Sequence, residues 1–361
     1  MNNKKGFISM ALVYSFFIIF LFIMFSIIRT YSNKNSFLEA IEQEIDKDIN
    51  SAASSVSTLK NKLFEDNTAQ ESKMILENNG HGSGLFYTED FNIIGAKNKR
   101  IYFFRGNVDN NNIIYGKENG KDICWKIVRT DINDNVRLVY AGNATSGNCN
   151  TPNATIKSSK YNDNNDIQAY VGYMYVNPIG TTQEDIFYKI TNTTRREDIY
   201  NSTIKKELEY WYNTNTDLNS RTKIINDVFC NDKRVKSNVN GKITYGSVKY
   251  SLSCDNNDKL TQYGLNNTSY ISLNGKVGLL TKGEVELAGS NNYLGTTKSW
   301  TLSPHTFDTT AKVNAYDNNG CNAENVTASL GVKPVIILNS NINVTSGTGY
   351  TNDPYVVESD L

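Results

Sequence analysis

The run FISMALVYSFFIIFLFIMFSII, residues 7–28, decides how the rest of the chain is read. It carries no charge and is almost wholly apolar. At about 1.5 Å per residue it spans roughly 33 Å as a helix, enough to cross a bilayer's hydrocarbon core. The sequence therefore predicts a transmembrane helix at residues 7–29. Lys4 and Lys5 lie in the short leader 1–6, which has no room for a translocated domain. The N-terminus is expected in the cytoplasm and the remainder outside, although Arg29 and Lys34 weaken the asymmetry of positive charge. A cleaved secretory signal is the alternative, but its apolar region should run about 7 to 15 residues and end in small residues. Here the run leaves through Ser26, Ile27, Ile28 and Arg29 with no Ala-x-Ala pattern, and no cysteine follows that could carry a lipid anchor.

Past Arg29 the pattern stays helical. Leu38, Ile41, Ile45, Ile49, Ala52, Val56, Leu59 and Leu63 succeed one another at steps of three and four, and Glu42, Glu44, Asp46, Lys47 and Asp48 fill the faces between. No Pro or Gly interrupts residues 7–78, which predicts one long helix with a stalk at 30–78. Its apolar stripe must be covered, by the same chain or by neighbouring copies. The run NNGHGSG supplies a stop and a hinge at 79–84.

From Leu85 to Leu361 the texture changes to short β-branched and aromatic runs punctuated by Asn, Asp and Gly. Strands are predicted at 100–104, 112–115, 123–129, 136–140, 169–176, 243–251, 277–280, 299–302, 312–315, 332–338 and 355–357. Residues 131–135, DINDN, read as a hairpin turn. Their alternate Asp and Asn suggest a calcium loop, but Val136 and Gly142 stand where its glycine and distal glutamate belong. Two helices interrupt the strands. Ser202 caps one, with Ile204, Leu208 and Trp211 on a shared face, and Thr281 caps a short second one with Glu284 at the reciprocal position. Trp211 is expected in core packing rather than as a ligand platform. The fold class is α+β, a long N-terminal helix followed by an extracellular β-rich head at 85–361.

Lys plus Arg and Asp plus Glu are 37 each, so no broad basic face for nucleic acid is expected. Five cysteines lie at Cys124, Cys149, Cys230, Cys254 and Cys321. No Cys-x-x-Cys occurs and the histidines are His81 and His305, which argues against structural zinc. In an exported head disulfides are expected. Proximity favours Cys124 with Cys149 and Cys230 with Cys254, though spacing does not determine connectivity and five reduced thiols are the alternative.

The sequence around the first junction, Met1-Asn2-Asn3-Lys4-Lys5-Gly6 followed by Phe7, resembles the leader of type IV prepilins. That resemblance implies a dedicated peptidase cutting between Gly6 and Phe7, methylation of the new N-terminal Phe7, and other pilin-like subunits as partners. Pilins carry Glu at the fifth mature position, where this chain has Ala11. The departure favours a minor or tip subunit, or a plain anchored protein, over a bulk filament subunit.

The head resembles a group of uncharacterised surface proteins of low-GC Gram-positive bacteria. The resemblance rests on FFRGNV from Phe103, CWKIVR from Cys124, YVGYMY from Tyr170, STIKKELEYWY from Ser202, FCND from Phe229, LSC ending at Cys254, VGLLTKGEVELAG from Val277, WTLSP from Trp300, GVKPVIIL from Gly331 and SGTGYTNDPYVV from Ser346. It brings no activity with it, but it suggests the two disulfide pairs, whose cysteines fall in its blocks. The last sixty or so residues also resemble the C-terminal part of the C-type-lectin-like fold, in which a Trp-x-x-Ser-Pro strand precedes Gly-x-Arg-Pro. Lys333 stands here where that pattern has Arg.

For an enzyme the sequence offers little. His305 near Ser303 and Thr306 lacks a Gly-x-Ser-x-Gly elbow, Cys321 matches no paired-cysteine site, and no P-loop or dinucleotide fingerprint occurs, so no cofactor is expected. The expectation is a single-pass membrane protein at the cell surface, pilin-like, with a head that binds an extracellular carbohydrate or protein through Tyr, Trp and Asn side chains on loops; a permanently anchored binding module, and behind it an ectoenzyme, are the alternatives.

Overall fold

Leu59 and Leu63, the last steps of the apolar stripe, are 0% and 2% exposed in the core of the folded body. In the computed structural model, which describes residues 14–27, 29, 57–71, 82–89, 100–176, 199–226, 229, 235–245, 262–265, 269–272 and 275–358, the chain divides into Met1–Val56 and Ser57–Leu361. In the first unit, residues 14–27 are helical and their large apolar side chains are exposed. Among the described residues no helix is long and apolar enough to cross a membrane. Gly6, Phe7 and residues 30–56 lie outside the described residues.

The expected stalk is corrected at its C-terminal end. Ser57–Thr58 is a strand, and Thr58, extended at φ −62° and ψ 153°, caps the helix Leu59–Asp66 by accepting the Asn61 N–H. That helix ends at Asn67, itself extended, whose side chain donates to the Leu63 carbonyl. A cap and a stop within ten residues override the apolar period, because the body covers Leu59 and Leu63. The body thus begins at Ser57 and not at Leu85.

The described end of the expected hinge is packed as well. A Cβ on Gly106, at φ +73°, would lie 2.5 Å from the Gly82 carbonyl oxygen, and the Ser83 hydroxyl donates to Asn107 O. Gly82 and Gly106 permit two backbones to touch, which is the other use of glycine.

The body is α+β. Among the described residues one sheet has ten strands and a second has seven; Lys121–Thr130 lies at the centre of the first, paired antiparallel to Asn112–Glu118, Ile101–Arg105 and Val136–Asn143. Val335–Leu338 adds to the far side of Val136–Asn143. At one end Ser57–Thr58 pairs with Asn343–Ser346, and that strand pairs with Tyr355–Val357. The second sheet is built on Ser299–Phe307, flanked by Lys242–Tyr245 and Ala311–Asp317. Trp125 and Trp300 fill the core between these elements, and each indole N–H finds a carbonyl, Tyr115 O at 2.8 Å and Ser159 O at 2.9 Å.

The predicted strands are largely present, several of them longer than expected. Two differ. Residues 168–171 form a 3-10 turn before the short strand Met174–Val176. Residues 277–280 are not a strand: Gly278 exchanges single bonds with Val335, and the Phe229 ring packs where a Cβ on Gly278 would be. DINDN is a turn, its Asp131 carboxylate occupied by the Asn133 and Asn135 amides and the Asn135 side chain.

Both predicted caps are made. Ser202 accepts the Lys205 N–H at the start of Thr203–Thr214, and Thr281 and Glu284 form a reciprocal capping box on Lys282–Ala288. That second helix is pinned to the first sheet at both ends. Glu284, 1% exposed, meets Arg129 Nε at 2.8 Å and Arg137 Nε at 3.1 Å. Arg105 donates to the Glu286 and Leu287 carbonyls at the helix C-terminus. Burial pushes the Glu284 carboxyl up, but the Arg137 and Arg129 guanidiniums and the Thr281 N–H outweigh it and hold the group below its usual range.

Lys333 is buried, and its amine donates to Pro152 O and Leu294 O, each at 2.6 Å. A neutral amine has two N–H donors, which these carbonyls use in full. Burial brings its pKa down to about 7, and that of Lys126 down to about 8, the latter against the pull of Asp109. Both values lie below the unfolded value, so the unfolded chain binds more protons above neutrality and stability rises with pH. We predict that the thermal midpoint climbs between about pH 7 and pH 9, and that Lys333→Met flattens the climb. Thermal melts across that range check this, and an unchanged slope in the variant contradicts it.

Candidate ligand-binding surface

Three tyrosines come together at the start of the Thr203–Thr214 helix, two on a two-stranded ribbon and Tyr170 on the 3-10 turn that precedes it. Met174–Val176 pairs antiparallel with Ile199–Asn201, with Tyr175 directly opposite Tyr200. Directly opposed residues leave the ribbon on the same face. The two rings stack, centroids 5.9 Å apart and planes 18° from parallel, while Tyr170 meets Tyr175 edge-on at 5.5 Å. Tyr200 is 42% exposed, and Tyr170 and Tyr175 are half-buried.

Asn162 and Ser202 hold this arrangement. Buried Asn162 donates its amide to Tyr170 O at 2.6 Å and accepts from the Thr203 N–H. The Ser202 N–H donates to Tyr173 O, and its hydroxyl caps the helix. Exposed Asp163 accepts from the Thr203 hydroxyl at 3.1 Å. Burial raises the Tyr175 phenol above its ordinary pKa, with Tyr170, Asp163 and Tyr200 adding to the shift. Asn164 and Asp166, from the same loop, are exposed.

The other residues singled out in the sequence are placed differently. Trp211 is half-buried and tied to the sheet: its indole N–H donates to Glu118 at 2.6 Å, and Tyr140 donates to the other oxygen of that carboxylate. Trp125, Tyr140 and Trp211 meet edge to face. His305 contacts its neighbour Thr306, and Ser303 accepts from the Lys282 amide. Burial, with Lys282, Lys312 and Lys242 nearby, lowers the His305 pKa. Cys321 is a free, half-buried thiol on the strand Gly320–Asn325. Burial chiefly, and Glu286, push it up to about 12, so it stays protonated and a weak nucleophile at neutral pH.

Cys124 and Cys149 form a disulfide, Cα atoms 5.5 Å apart, both residues buried. Cys230 and Cys254 lie outside the described residues. Tyr170 falls in the predicted strand 169–176, and Tyr200 lies in no predicted element. The alternation of Tyr173 and Tyr175, one buried and one half-buried, was the available signal. No protein-family model matches the chain, and no curated protein or solved structure matches it either.

Proposed function

We infer that the chain is a pilin-like surface protein, a minor or tip subunit whose body is presented outside the cell as a binding head. The observation that carries this is the Gly6–Phe7 junction leading into an uncharged apolar run, whose large apolar side chains at 14–27 are between 42% and 70% exposed. So much apolar surface demands cover, first from lipid and then from the helices of other subunits. The prepilin peptidase acts at Gly6, and Phe7 becomes the mature N-terminus. The C-terminal part of the body follows the C-type-lectin-like pattern, with Lys333 in the place of its arginine.

Ala11 at the fifth mature position favours a second reading, a permanently anchored module that binds carbohydrate or protein and assembles into nothing. The two differ at Gly6. Gly6→Val leaves the leader attached and keeps the protein out of the fraction sheared from cells, as followed by immunoblot of sheared and membrane fractions. A parent protein that is never released by shearing, or a variant released as well as the parent, overturns the pilin reading.

A further inference from the structure

We propose that Tyr200, backed by Tyr175 and Tyr170, is a stacking platform for a neutral pyranose of an extracellular glycan, a proposal that rests on reading the body as a binding head. A pyranose offers a flat C–H face ringed by hydroxyls, so its site needs a fixed aromatic face and polar groups at the edge. Tyr200 meets the first need. It stacks on Tyr175, and Tyr170 wedges Tyr175 edge-on, so the outer ring is held before any ligand arrives. Tyrosine gives such area at low entropic cost, having two side-chain torsions.

The rim meets the second need. Asp163 accepts one hydrogen bond, from Thr203, and a carboxylate has capacity for more. Exposed Asn164 and Asp166 offer further polar groups from the same loop. Charge decides the kind of sugar: Asp163, whose charge reaches Tyr175, repels sialic and uronic acids and accepts hydroxyls of neutral ones. A protein partner is disfavoured because the exposed residues of this loop are Asp and Asn, whereas the core of a protein interface is depleted of charge.

The test is binding of the full-length protein, in a detergent without a sugar headgroup, to an array of neutral and acidic glycans, followed by titration of the best glycan. The expected result is retention of neutral pyranose glycans and not acidic ones. Tyr200→Ala is expected to weaken binding about two- to tenfold, the size of a lost aromatic contact. Tyr200→Phe keeps the ring and the binding, and Tyr210→Ala, at an exposed tyrosine on the helix, changes nothing. Retention of no glycan, preference for acidic glycans, or equal binding by Tyr200→Ala overturns the proposal. Because Tyr200 is exposed, unaltered melting of Tyr200→Ala separates lost contact from lost fold. The outcome is independent of the N-terminus: glycan binding by a protein that its own cells leave uncut defeats the pilin reading alone, and a processed chain without glycan binding defeats this proposal alone.

Discussion

Glu284→Gln is expected to lower the body's stability by about 3–5 kcal/mol, the cost of breaking a buried ion pair from one side, and its melting temperature by on the order of 5–15 °C. The glutamate is 1% exposed and serves three partners at once: Arg129, Arg137 and the Thr281 N–H. Glutamine keeps the size and can keep the capping contact. It leaves two guanidiniums in the interior without their counter-charge. Arg137 retains its position over the Phe229 ring, 4.7 Å from the centroid, which offsets a small part of the loss. The pH dependence has a definite sign. The Glu284 carboxyl sits below its ordinary value when folded, so its contribution is full above the unfolded pKa and is lost as pH falls through the folded one. The variant should lose that acid limb. A triple change of Glu284, Arg129 and Arg137 to methionine recovers most of the stability if the loss is unpaired charge. Calorimetry of the parent and both variants measures this, and a Glu284→Gln loss under about 1 kcal/mol contradicts it.

Removing the Cys124–Cys149 bridge by a double change to alanine is expected to cost about 3 kcal/mol, from the chain entropy released by opening a loop of 25 residues. Local geometry says where the damage falls. The Cys149 N–H donates to Thr351 O, and Asn112 donates both its N–H and its side chain to Gly349 O, so the bridged loop and the central sheet jointly fasten the C-terminal segment. Hydrogen exchange should therefore quicken first at residues 346–355. Both cysteines are buried in a small apolar cluster with Ala141, so reductant should act on the native protein slowly. Denaturant melts of the double variant, with exchange mapped by peptide, give the result. Loss of protection spread evenly over the body argues against this account.

How far the sequence could be read follows from the range of each interaction. Local chemistry was legible: the Ser202 cap, the Thr281–Glu284 capping box and the Asp131 turn each involve residues within four positions, and all are present. Period alone misled at residues 57–71, because Leu59 and Leu63 continue the stalk's spacing yet are buried by a body that a one-dimensional pattern does not contain. Arg129 and Arg137 fall within the predicted strands 123–129 and 136–140. Their carboxylate partner comes from a helix some 150 positions on, and no spacing rule reaches that far. The tyrosine surface was hidden for the same reason, since Tyr175 and Tyr200 become neighbours only through strand pairing. The Cys124–Cys149 pairing agreed with proximity, aided by the central strand that presents Cys124 to the turn carrying Cys149.

The central claim concerns the start of the mature protein. Intact-mass and N-terminal peptide analysis of the protein isolated from its own cells tests it. The expected product begins at N-methylated Phe7; a product that keeps Met1, or one that starts after residue 28, contradicts the account.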